Sequence, residues 1–394
     1  MAQAPTTLLV VEANKSGTEH CFFNAAMLSA LMEETARSAH EVILFADQAH
    51  REALVSILPA VAALPWTDIP VVSGVRRSFI KKFFVEARVL LKALRLAKRK
   101  SARILVLSTF ANILSFLLLL RPVFRRVDLH VVLHCEVESL IIREKRGIHR
   151  EGFWTRLALF HLFRGGWPRF YVLGEGIRTR LLQRFPERRL LEQVRSIEHP
   201  YLFAPGPQRS SADHRPLRVG FVGSGRTVKG IDDFFRLAES LSAYVEAGRV
   251  EFVVVGGLEN DSPRFDRKWV RVLAEQPGGL GVDEFLRAVA SLDCAVFLYR
   301  QNYAFTASGA VFDVINAGVS IFSLHNHYLS DLACGDAEGG IRFFASVDAV
   351  AEEIRSWLER GSRPGTFSYE GIRDSHSGGV RTVIGQEILG KSAT

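Results

Sequence analysis

Short apolar segments alternate with helical patterns along most of the chain. In the first half these segments are LLVVEA (8–13), HEVILFAD (40–47), RILVLST (103–109), DLHVVLHC (128–135) and FYVLGE (170–175). In the second half they are LRVGFVG (217–223), VEFVVVGG (250–257), LDCAVFLY (292–299) and VSIFSL (319–324). Strands that are apolar throughout and separated by helices are typical of parallel sheets covered on both faces. The pattern therefore predicts an α/β protein built from doubly wound, Rossmann-like domains.

A polar stretch divides the pattern into two halves. The segment SIEHPYLFAPGPQRSSADHRP (196–216) is rich in Pro, Ser and polar residues, as linkers are. We predict an N-terminal domain over 1–203, a linker over 204–216 and a C-terminal domain over 217–375. Residues 376–394 are expected to form a helix or tail that could pack back on the N-terminal domain. A chain of 394 residues agrees with two domains.

Composition places the chain among ordinary globular proteins, with 48% hydrophobic and 23% charged residues. Its four cysteines are far apart and form no CxxC pair, so we expect core or near-core thiols in a reducing compartment, without disulfides or a zinc site. The N-terminus lacks the basic region of a signal peptide. The aliphatic run ILSFLLLL (113–120) is shorter than the ~20 residues that a bilayer requires. We therefore expect a cytoplasmic protein.

The positive charge of the chain is concentrated in one segment. The net charge is +8, and residues 76–100 hold ten Lys or Arg and a single acid, Glu86. Such concentration, without an RNP-like or helix-turn-helix pattern, argues against a nucleic-acid partner. The basic residues recur at helical spacing, and the apolar residues of the segment are expected on the opposite side. These apolar residues are Ile80, Phe83, Phe84, Ala87, Leu91 and Leu94.

This pattern predicts a cationic amphipathic helix that lies on the inner face of the cytoplasmic membrane. The predicted membrane-surface residues are Arg77, Lys81, Lys82, Arg88, Lys92 and Arg95. The segment FLLLLRPVFRR (116–126) could extend the same surface. The alternative is a helix whose apolar side packs in the core and whose basic face is solvated.

The segment FVGSGRTVKGIDDF (221–234) ends a strand in two glycines and starts a helix. A glycine-bearing loop at a helix N-terminus presents backbone N–H groups and a positive dipole end to an anion. Arg226 and Lys229 could bracket a diphosphate there. The spacing is neither G-x-G-x-x-G nor a Walker loop, so a plain strand-to-helix turn remains the alternative.

A second helix start lies in YAFTASGAVFDVINAGVSIFSL (303–324). Thr306 or Ser308 could cap this helix, whose first N–H groups would form another anion site. Asp313, about one turn further on, could reach a ribose hydroxyl or a sugar, although a capping or solvent-facing role is also open. In a doubly wound domain both loops lie at the carboxyl ends of strands, where ligands bind.

Together these motifs resemble the C-terminal domain of GT-B glycosyltransferases, most closely glycosyltransferase family 4. Lys229 and Gly230 match the family's Lys-Gly pair, whereas the family's Arg is displaced to Arg226. Asp313 stands at the second acid of the family's Glu-x7-Glu motif, and Phe305 stands where the first acid is usual. The donor-binding residues that the resemblance implies are Gly17, Gly223, Gly225, Arg226, Lys229, Gly230, Ser308, Gly309, Ala310 and Asp313.

The N-terminal half fits the same resemblance. Family members carry a Gly-rich loop after the first strand, and residues 14–17 (NKSG) occupy that place. A later strand often ends in a His near the donor sugar, as at His134, and Glu19 or His20 could act as a base toward the acceptor. Glu136 could do the same or cap a helix. The implied catalytic candidates are His134, Glu19, His20, Glu136 and Asp313.

The resemblance implies two Rossmann-like domains that face each other across a cleft, as in GT-B enzymes. The expected activity is sugar transfer from a nucleotide sugar, a UDP-sugar, to a membrane-associated glycan or lipid-linked acceptor of bacterial surface polysaccharide synthesis. No DxD-like pair is seen at a strand end, so no metal and no other cofactor is expected. Two alternatives stay open: a UDP-sugar 2-epimerase on the same fold, and a non-catalytic subunit of a polysaccharide assembly complex.

Overall fold

A computed structural model describes residues 6–36, 40–72, 79–141, 151–203, 216–258, 268–274, 280–300 and 305–391. The chain forms two compact units. The first comprises Met1–Leu202, Phe305–Ala307 and His376–Thr394, and the second comprises Phe203–Ala304 and Ser308–Ser375. Each unit contains one parallel sheet with helices, the doubly wound architecture that the sequence predicts.

The first unit contains a seven-stranded parallel sheet of order β3-β2-β1-β4-β5-β6-β7. Its strands are β1 (Thr6–Glu12), β2 (His40–Ala46), β3 (Trp66–Asp68), β4 (Arg103–Ser108), β5 (Leu129–Leu133), β6 (Arg169–Leu173) and β7 (Arg195–Ile197). Its helices are α1 (Cys21–Ala36), α2 (Gln48–Ile57), α3 (Phe79–Lys100), α4 (Ala111–Leu119), α5 (Arg121–Phe124), α6 (Glu151–Arg156) and α7 (Glu175–Arg184). The strand order reverses between β1 and β4, which makes the ends of these strands the switch point of the sheet.

The second unit contains a six-stranded parallel sheet of order β10-β9-β8-β11-β12-β13. Its strands are β8 (Leu217–Val222), β9 (Val250–Gly257), β10 (Val270–Ala274), β11 (Cys294–Phe297), β12 (Ser320–Leu324) and β13 (Ile341–Phe344). Its helices are α8 (Ile231–Ser240), α9 (Ser242–Glu246), α10 (Val282–Ala290), α11 (Gly309–Asn316), α12 (His327–Ala333) and α13 (Val347–Arg360). Here the strand order reverses between β8 and β11.

The last helix, α14 (Glu370–Val383), contains the unit boundary at His376. Short 3₁₀ helices cover Pro59–Ala63, Cys135–Leu140, Arg189–Gln193 and Thr227–Lys229, and π-helical turns cover Leu157–Leu162 and Ile384–Ile388. In the C-terminal turn Ile384 and Ile388 are fully buried in the core of the first unit. Arg103 donates to the Ile388 carbonyl at 2.7 Å.

Each unit has its own hydrophobic core. In the first, the apolar strands β1, β2 and β4 pack against α1 and α2. In the second, Phe221, Phe234 and Phe252 form a continuous aromatic contact, with ring centroids 5.7 and 5.8 Å apart. These separations lie in the range of favourable aromatic pairs. Of the cysteines, Cys21 and Cys294 are buried, but Cys334 is exposed and was wrongly expected in or near the core.

The sequence pattern missed four strands: β3, β7, β10 and β13. All four are edge strands of their sheets. An edge strand pairs on one side only, is covered less completely and is often short or charged. Its residues therefore lack the continuous apolar run that reveals a central strand.

The basic helix α3 is present, but the sequence analysis placed two of its apolar residues on the wrong side. Ile80 and Phe84 are 65% and 60% exposed, whereas Ala87 and Leu94 are buried. The reason is helical phase, because residues 80, 84, 88, 92, 95 and 99 follow one another at steps of three or four and share one face. Among the described residues, no helix combines the length and the hydropathy needed to cross a bilayer.

The predicted basic residues of α3 divide into two groups. Lys81, Arg88, Lys92 and Arg95 are exposed. Lys82 is half-buried, with its Nζ 4.9 Å from the centroid of the Phe110 ring, so it faces the neighbouring helix α4. Arg77 lies outside the described residues. The exposed cations and the exposed pair Ile80 and Phe84 thus share one face, here called the α3 surface.

Candidate functional site

Three of the predicted donor residues, Gly223, Lys229 and Ala310, lie close together at the switch point of the second unit. Gly223 follows β8 with a φ angle of 101°. A Cβ atom on Gly223 would lie 3.7 Å from Lys229 Nζ and 3.4 Å from the Cβ atom of Ala310. The ammonium group of Lys229 and the first turn of α11 therefore approach the same short stretch of backbone. This places the β8–α8 loop beside the start of α11, at the carboxyl ends of two neighbouring strands.

Backbone packing explains the other glycines of the β8–α8 loop. Gly225 donates its N–H to the Gly257 carbonyl at 2.8 Å. Gly230 precedes α8 with a φ angle of 80°, and a Cβ atom there would lie 2.2 Å from the Leu298 carbonyl oxygen. Arg226 is half-buried and begins the 3₁₀ turn that carries Lys229. The glycines thus let the loop pack closely between β9 and β11, and the loop carries the half-buried cations Arg226 and Lys229.

Two acids and one further cation surround the start of α8. Asp232 and Asp233 lie in its first turn, where negative charge interacts favourably with the helix dipole. Arg300, in the loop after β11, forms a short ion pair with Asp232 and lies 3.6 Å from Asp233. Sequence reasoning missed Arg300, because its partner lies 68 residues away and no spacing rule connects them.

The start of α11 is not capped by a side chain. Ser308 precedes the helix, and its hydroxyl group lies 2.6 Å from the Tyr299 hydroxyl instead of bonding to the first turn. Gly309 and Ala310 form the first turn, which no acid occupies. Asp313 follows on α11 and is buried. The cap that the sequence analysis expected from Thr306 or Ser308 is therefore not formed, because Thr306 Oγ1 donates to Glu138 and Ser308 bonds to Tyr299. The binding of an anion by the first N–H groups of α11 stays a prediction.

In the first unit, the loop after β1 is held from within by a buried acid. Glu12 is fully buried, and its Oε1 accepts from the amides of Asn14 at 3.0 Å and Lys15 at 3.1 Å. Gly17 has a φ angle of 56°, and a Cβ atom there would meet no described atom within 4 Å apart from those of its chain neighbours. The loop therefore has a defined backbone and an open face at Gly17.

His134 is held in one tautomer at the end of β5. One of its ring nitrogens, Nε2, lies 2.8 Å from the Leu107 carbonyl, which can only accept, so Nε2 carries the proton and Nδ1 is bare. Burial lowers the pKa of His134 to about 4, the Leu107 hydrogen bond opposes this, and the nearby Lys15 ammonium lowers the pKa further. A neutral imidazole with a bare Nδ1 can accept a hydrogen bond from a hydroxyl group, but it is a weak base at neutral pH.

The rings around His134 form a cluster. His20 lies with its ring centroid 4.9 Å away, and Phe23 lies 4.6 Å away. His199 is buried against Phe23, at 5.2 Å between centroids. Burial, together with His134 and His376, lowers the pKa of His199 to about 3. The pKa of His20 is likewise lowered well below 6.5, first by desolvation of its ring and then by His134, although the residue lies exposed at the edge of the cluster. The three histidine rings are therefore neutral at pH 7.

The acids near His134 have structural partners. Glu136 is buried, and its Oε2 accepts from the His134 amide at 2.6 Å, so it stabilises the turn in which it lies. Glu138, which the sequence analysis did not select, accepts from the Phe305 amide at 2.8 Å and from Thr306 Oγ1 at 3.0 Å. Glu19 is exposed. Among these acids, Glu19 is the one that faces solvent.

Other features of the described residues lie apart from these candidates. No group of three or more His, Cys, Asp or Glu side chains in the described ranges could hold a metal ion. A pocket of about 350 Å³ lies between the segments around Asp336 and Tyr369, and another of about 790 Å³ lies around Arg169 and Arg195. Neither pocket is lined by a predicted donor or catalytic residue.

Comparison with known proteins identifies the architecture. No protein-family model and no curated protein matches this chain. Solved structures do match along nearly the whole length. Anabaena HepE in complex with UDP and glucose is 13% identical with a TM-score of 0.61, covering 97% of this chain and 98% of HepE.

Two further solved structures are similar to this chain along nearly its whole length. WaaG, a glycosyltransferase involved in lipopolysaccharide biosynthesis, is 14% identical with a TM-score of 0.54, covering 97% of this chain and 96% of WaaG. TarM is 9% identical with a TM-score of 0.64, covering 98% of each chain. With two parallel doubly wound sheets and these full-length likenesses, the chain has the GT-B fold.

Proposed function

We propose that this protein is a glycosyltransferase that moves a sugar from a UDP-sugar to a membrane-associated glycan or lipid-linked acceptor, in bacterial surface polysaccharide synthesis. The observation that carries the proposal is the convergence of Lys229 Nζ and the first turn of α11 on the backbone of Gly223. The full-length likeness to HepE, whose structures contain UDP with glucose or UDP-glucose, supports the choice of donor.

The chemistry that this arrangement supports is stabilisation of a leaving diphosphate. When the bond between sugar and phosphate breaks, negative charge develops on the phosphate oxygen. We expect Arg226, Lys229 and the N–H groups at the start of α11 to receive that charge, since donors that are fixed before the reaction need little reorganisation during it. In this proposal cations of the chain itself, rather than a metal ion, stabilise the leaving group.

The same proposal assigns roles to the remaining candidates. His134, neutral and with a bare Nδ1, accepts a hydrogen bond from a hydroxyl group of the donor sugar. Asp313 contacts the donor from α11. The candidates for the acceptor base are the exposed residues Glu19 and His20, because Glu136 is committed to its own turn. The lowered pKa of His20 makes it, like His134, a weak base at neutral pH.

A charge-removal variant tests the donor site. Binding of UDP, GDP and ADP is measured by calorimetry for the wild type and for Lys229→Gln. The lost charge-assisted hydrogen bond should weaken UDP binding about 10- to 100-fold. Lys268→Gln is the matched control, because Lys268 is an exposed lysine of the same unit that pairs with Glu246 at 3.3 Å. Absence of UDP binding by the wild type, or unchanged binding by Lys229→Gln, would refute the assignment.

Product analysis separates the proposed transferase from its alternatives. Membrane extract and a UDP-sugar should yield acceptor-linked sugar and free UDP. An altered UDP-sugar formed without any acceptor would instead identify a 2-epimerase. UDP binding without turnover under either condition would identify a non-catalytic subunit, in line with Phe305 at the position of the usual first acid.

We also propose that the α3 surface docks on an anionic membrane. It combines the exposed cations Lys81, Arg88, Lys92 and Arg95 with Ile80 and Phe84, which are 65% and 60% exposed. Cations near an anionic surface contribute about 1 kcal/mol each, and apolar side chains that enter the interface add to this. The combination of both on one face favours a lipid surface over a merely solvated helix.

The neighbouring helices extend the α3 surface. Lys98 Nζ donates to the Val123 carbonyl at 3.3 Å, which places the C-terminal part of α3 beside α5. Leu119 and Val123 are 65% and 57% exposed there, and Arg125 and Arg126 are exposed as well. Apolar and basic side chains thus alternate over three consecutive helices of the first unit.

Vesicle sedimentation tests the membrane proposal. The protein is mixed with phosphatidylcholine vesicles with or without a quarter of phosphatidylglycerol. Replacing Arg88, Lys92 and Arg95 together by Gln should weaken binding to the anionic vesicles about 100-fold. The control replaces Lys268, Arg355 and Arg360, which lie on the second unit. Equal binding to both lipids, or equal loss in the control, would contradict the proposal.

A further inference from the structure

A buried chain of three polar side chains runs from β1 through α1 to α2. Glu12, Asn24 and His50, here called the Glu12 relay, are each fully buried. Buried polar groups carry a large free-energy cost unless they are hydrogen-bonded, so such a chain in the core requires an explanation. The relay lies at the switch point of the first sheet, directly beneath the loop 14–17.

Glu12 anchors the relay. A register shift of the β1–β4 ladder at Val11 and Glu12 places Glu12 opposite Ser108, whose hydroxyl donates to Oε1 at 2.6 Å. The amides of Asn14 and Lys15 donate to the same oxygen. The other oxygen, Oε2, accepts from Asn24 Nδ2 at 2.9 Å. Four donors therefore face one carboxyl group, the arrangement that suits a carboxylate anion.

The orientation of Asn24 follows from Glu12 and determines the tautomer of His50. The Asn24 amide nitrogen has two N–H groups; one is bonded to Glu12, and the other points to His50 Nε2 at 2.8 Å. Turning the amide over would place its oxygen against the carboxylate. His50 Nε2 must therefore be bare, and the proton lies on Nδ1, which donates to the Gly17 carbonyl at 2.7 Å.

The relay ends on the loop that precedes α1. The Gly17 carbonyl is held by His50, and the Ser16 hydroxyl forms a short hydrogen bond with Asp47. Asp47 in turn caps α2, accepting from the His50 amide at 2.9 Å. The loop is thus fixed from the core by Glu12 and from α2 by His50 and Asp47, while its Gly17 side stays open.

We propose that His50 is a positioning residue that, through this single tautomer, holds loop 14–17 in the conformation that binds the UDP moiety of the donor. The identity of the ligand rests on the proposed function. Because the loop is already ordered in the free protein, binding does not have to supply the free energy of ordering it. Asn24 suits this position because its amide nitrogen has two N–H groups, one for the carboxylate and one for the imidazole, and adds no charge to the core.

The tautomer is the direct test. Two-bond ¹H–¹⁵N correlation spectra of the histidine-labelled protein should show His50 with a protonated Nδ1 and a bare Nε2. In Asn24→Asp the carboxylate replaces the donor, so His50 Nε2 should become protonated. Exchange of the Asn14 and Lys15 amides should then accelerate at least about tenfold, as the loop loosens. A wild-type His50 protonated on Nε2 would overturn the proposal.

Binding of UDP connects the relay to function. Asn24→Asp and His50→Leu should each weaken UDP binding about tenfold, whereas His50→Gln, which retains one donor and one acceptor, should stay within about threefold of the wild type. His130→Gln is the control, because His130 is equally buried but bonds to Tyr171 and Asp128.

The outcomes separate the two proposals. If the wild type binds no UDP, the proposed function fails, and the tautomer and amide exchange still decide whether the relay positions the loop. If UDP binds but His50→Leu binds it as tightly as the wild type, the positioning role is refuted while the proposed function stands. If Asn24→Asp fails to fold, His50→Leu still tests the positioning role.

Discussion

Glu86 should make the stability of the first unit decrease as the pH rises toward neutrality. This carboxyl group lies on α3, is 1% exposed and accepts from Thr109 Oγ1 at 2.6 Å and from the Phe110 amide at 3.0 Å, both on Oε1. Its Oε2 is buried without a hydrogen-bond partner in the described part of the chain. Burial raises the pKa of Glu86 from 4.5 to about 7, and the hydrogen bonds from Thr109 and Phe110 only partly oppose this.

The magnitude follows from linkage. The folded state binds the Glu86 proton more tightly than the unfolded state does, so the free energy of unfolding falls as the pH rises from 4.5 to about 7 and is constant above that. A pKa difference of this size corresponds to a loss of about 3 kcal/mol. Glu86→Gln cannot ionise and should remove this decrease. Its amide N–H groups, left without a partner, should add a destabilisation of about 1–3 kcal/mol that does not depend on pH.

The assay compares urea unfolding of the wild type and of Glu86→Gln between pH 5 and pH 8, followed by a probe in the first unit. The free energy of unfolding of Glu86→Gln minus that of the wild type should increase by about 2–3 kcal/mol from pH 5 to pH 8. Glu52→Gln, an exposed acid on α2, should give a difference independent of pH. If the difference between wild type and Glu86→Gln is also constant, Glu86 is ionised throughout and the reasoning from burial is wrong.

Three further predictions concern other parts of the structure. Gly230→Ala should lower the free energy of unfolding, followed by thermal unfolding, by about 3 kcal/mol or more. Its Cβ would lie 2.2 Å from the Leu298 carbonyl oxygen at a φ angle of 80°. The control Gly281→Ala, whose Cβ would meet no described atom within 4 Å, should change the free energy of unfolding little. His134, with its pKa lowered to about 4, should stay neutral in ¹⁵N spectra down to pH 5. Its contribution to the free energy of unfolding should decrease as the pH is lowered from 6.5 toward 4. A ring that protonates near pH 6.5 would contradict its burial. Ile388→Ala should destabilise the first unit by about 2–5 kcal/mol in the same unfolding assay, whereas the exposed Val123→Ala should not.

Much of the architecture was predictable because it depends on local patterns. Central strands of a parallel sheet are buried on both faces, so their residues are apolar throughout and β1, β4, β8 and β9 are visible in the sequence. The β8–α8 loop and the start of α11 were predictable for a similar reason, since glycine turns and helix N-termini can be recognised from a few neighbouring residues. The placement of Lys229 beside Gly223 agrees with the expected grouping, and the roles of these residues in donor binding stay predictions.

Other features could not be predicted from the sequence and are seen only in the folded structure. The exposed position of Ile80 and Phe84 depends on helical phase relative to the sheet, which composition alone does not reveal. The partners of Asp232 and of Glu138 come from segments 68 and 167 residues away. No spacing rule links residues at such distances, because the intervening chain forms other strands and helices before it returns to the same edge of the sheet.

The sequence by itself determined two doubly wound domains, a basic amphipathic helix and the loops that carry the predicted ligand-binding residues. Only the tertiary structure decided which side chains face one another there. Ser108 and Glu12 are 96 residues apart, yet a parallel sheet places the carboxyl ends of β4 and β1 side by side. Hydrogen bonds such as those of the Glu12 relay form between neighbours in space, and spatial neighbourhood at a sheet edge is a property of strand order rather than of distance along the chain.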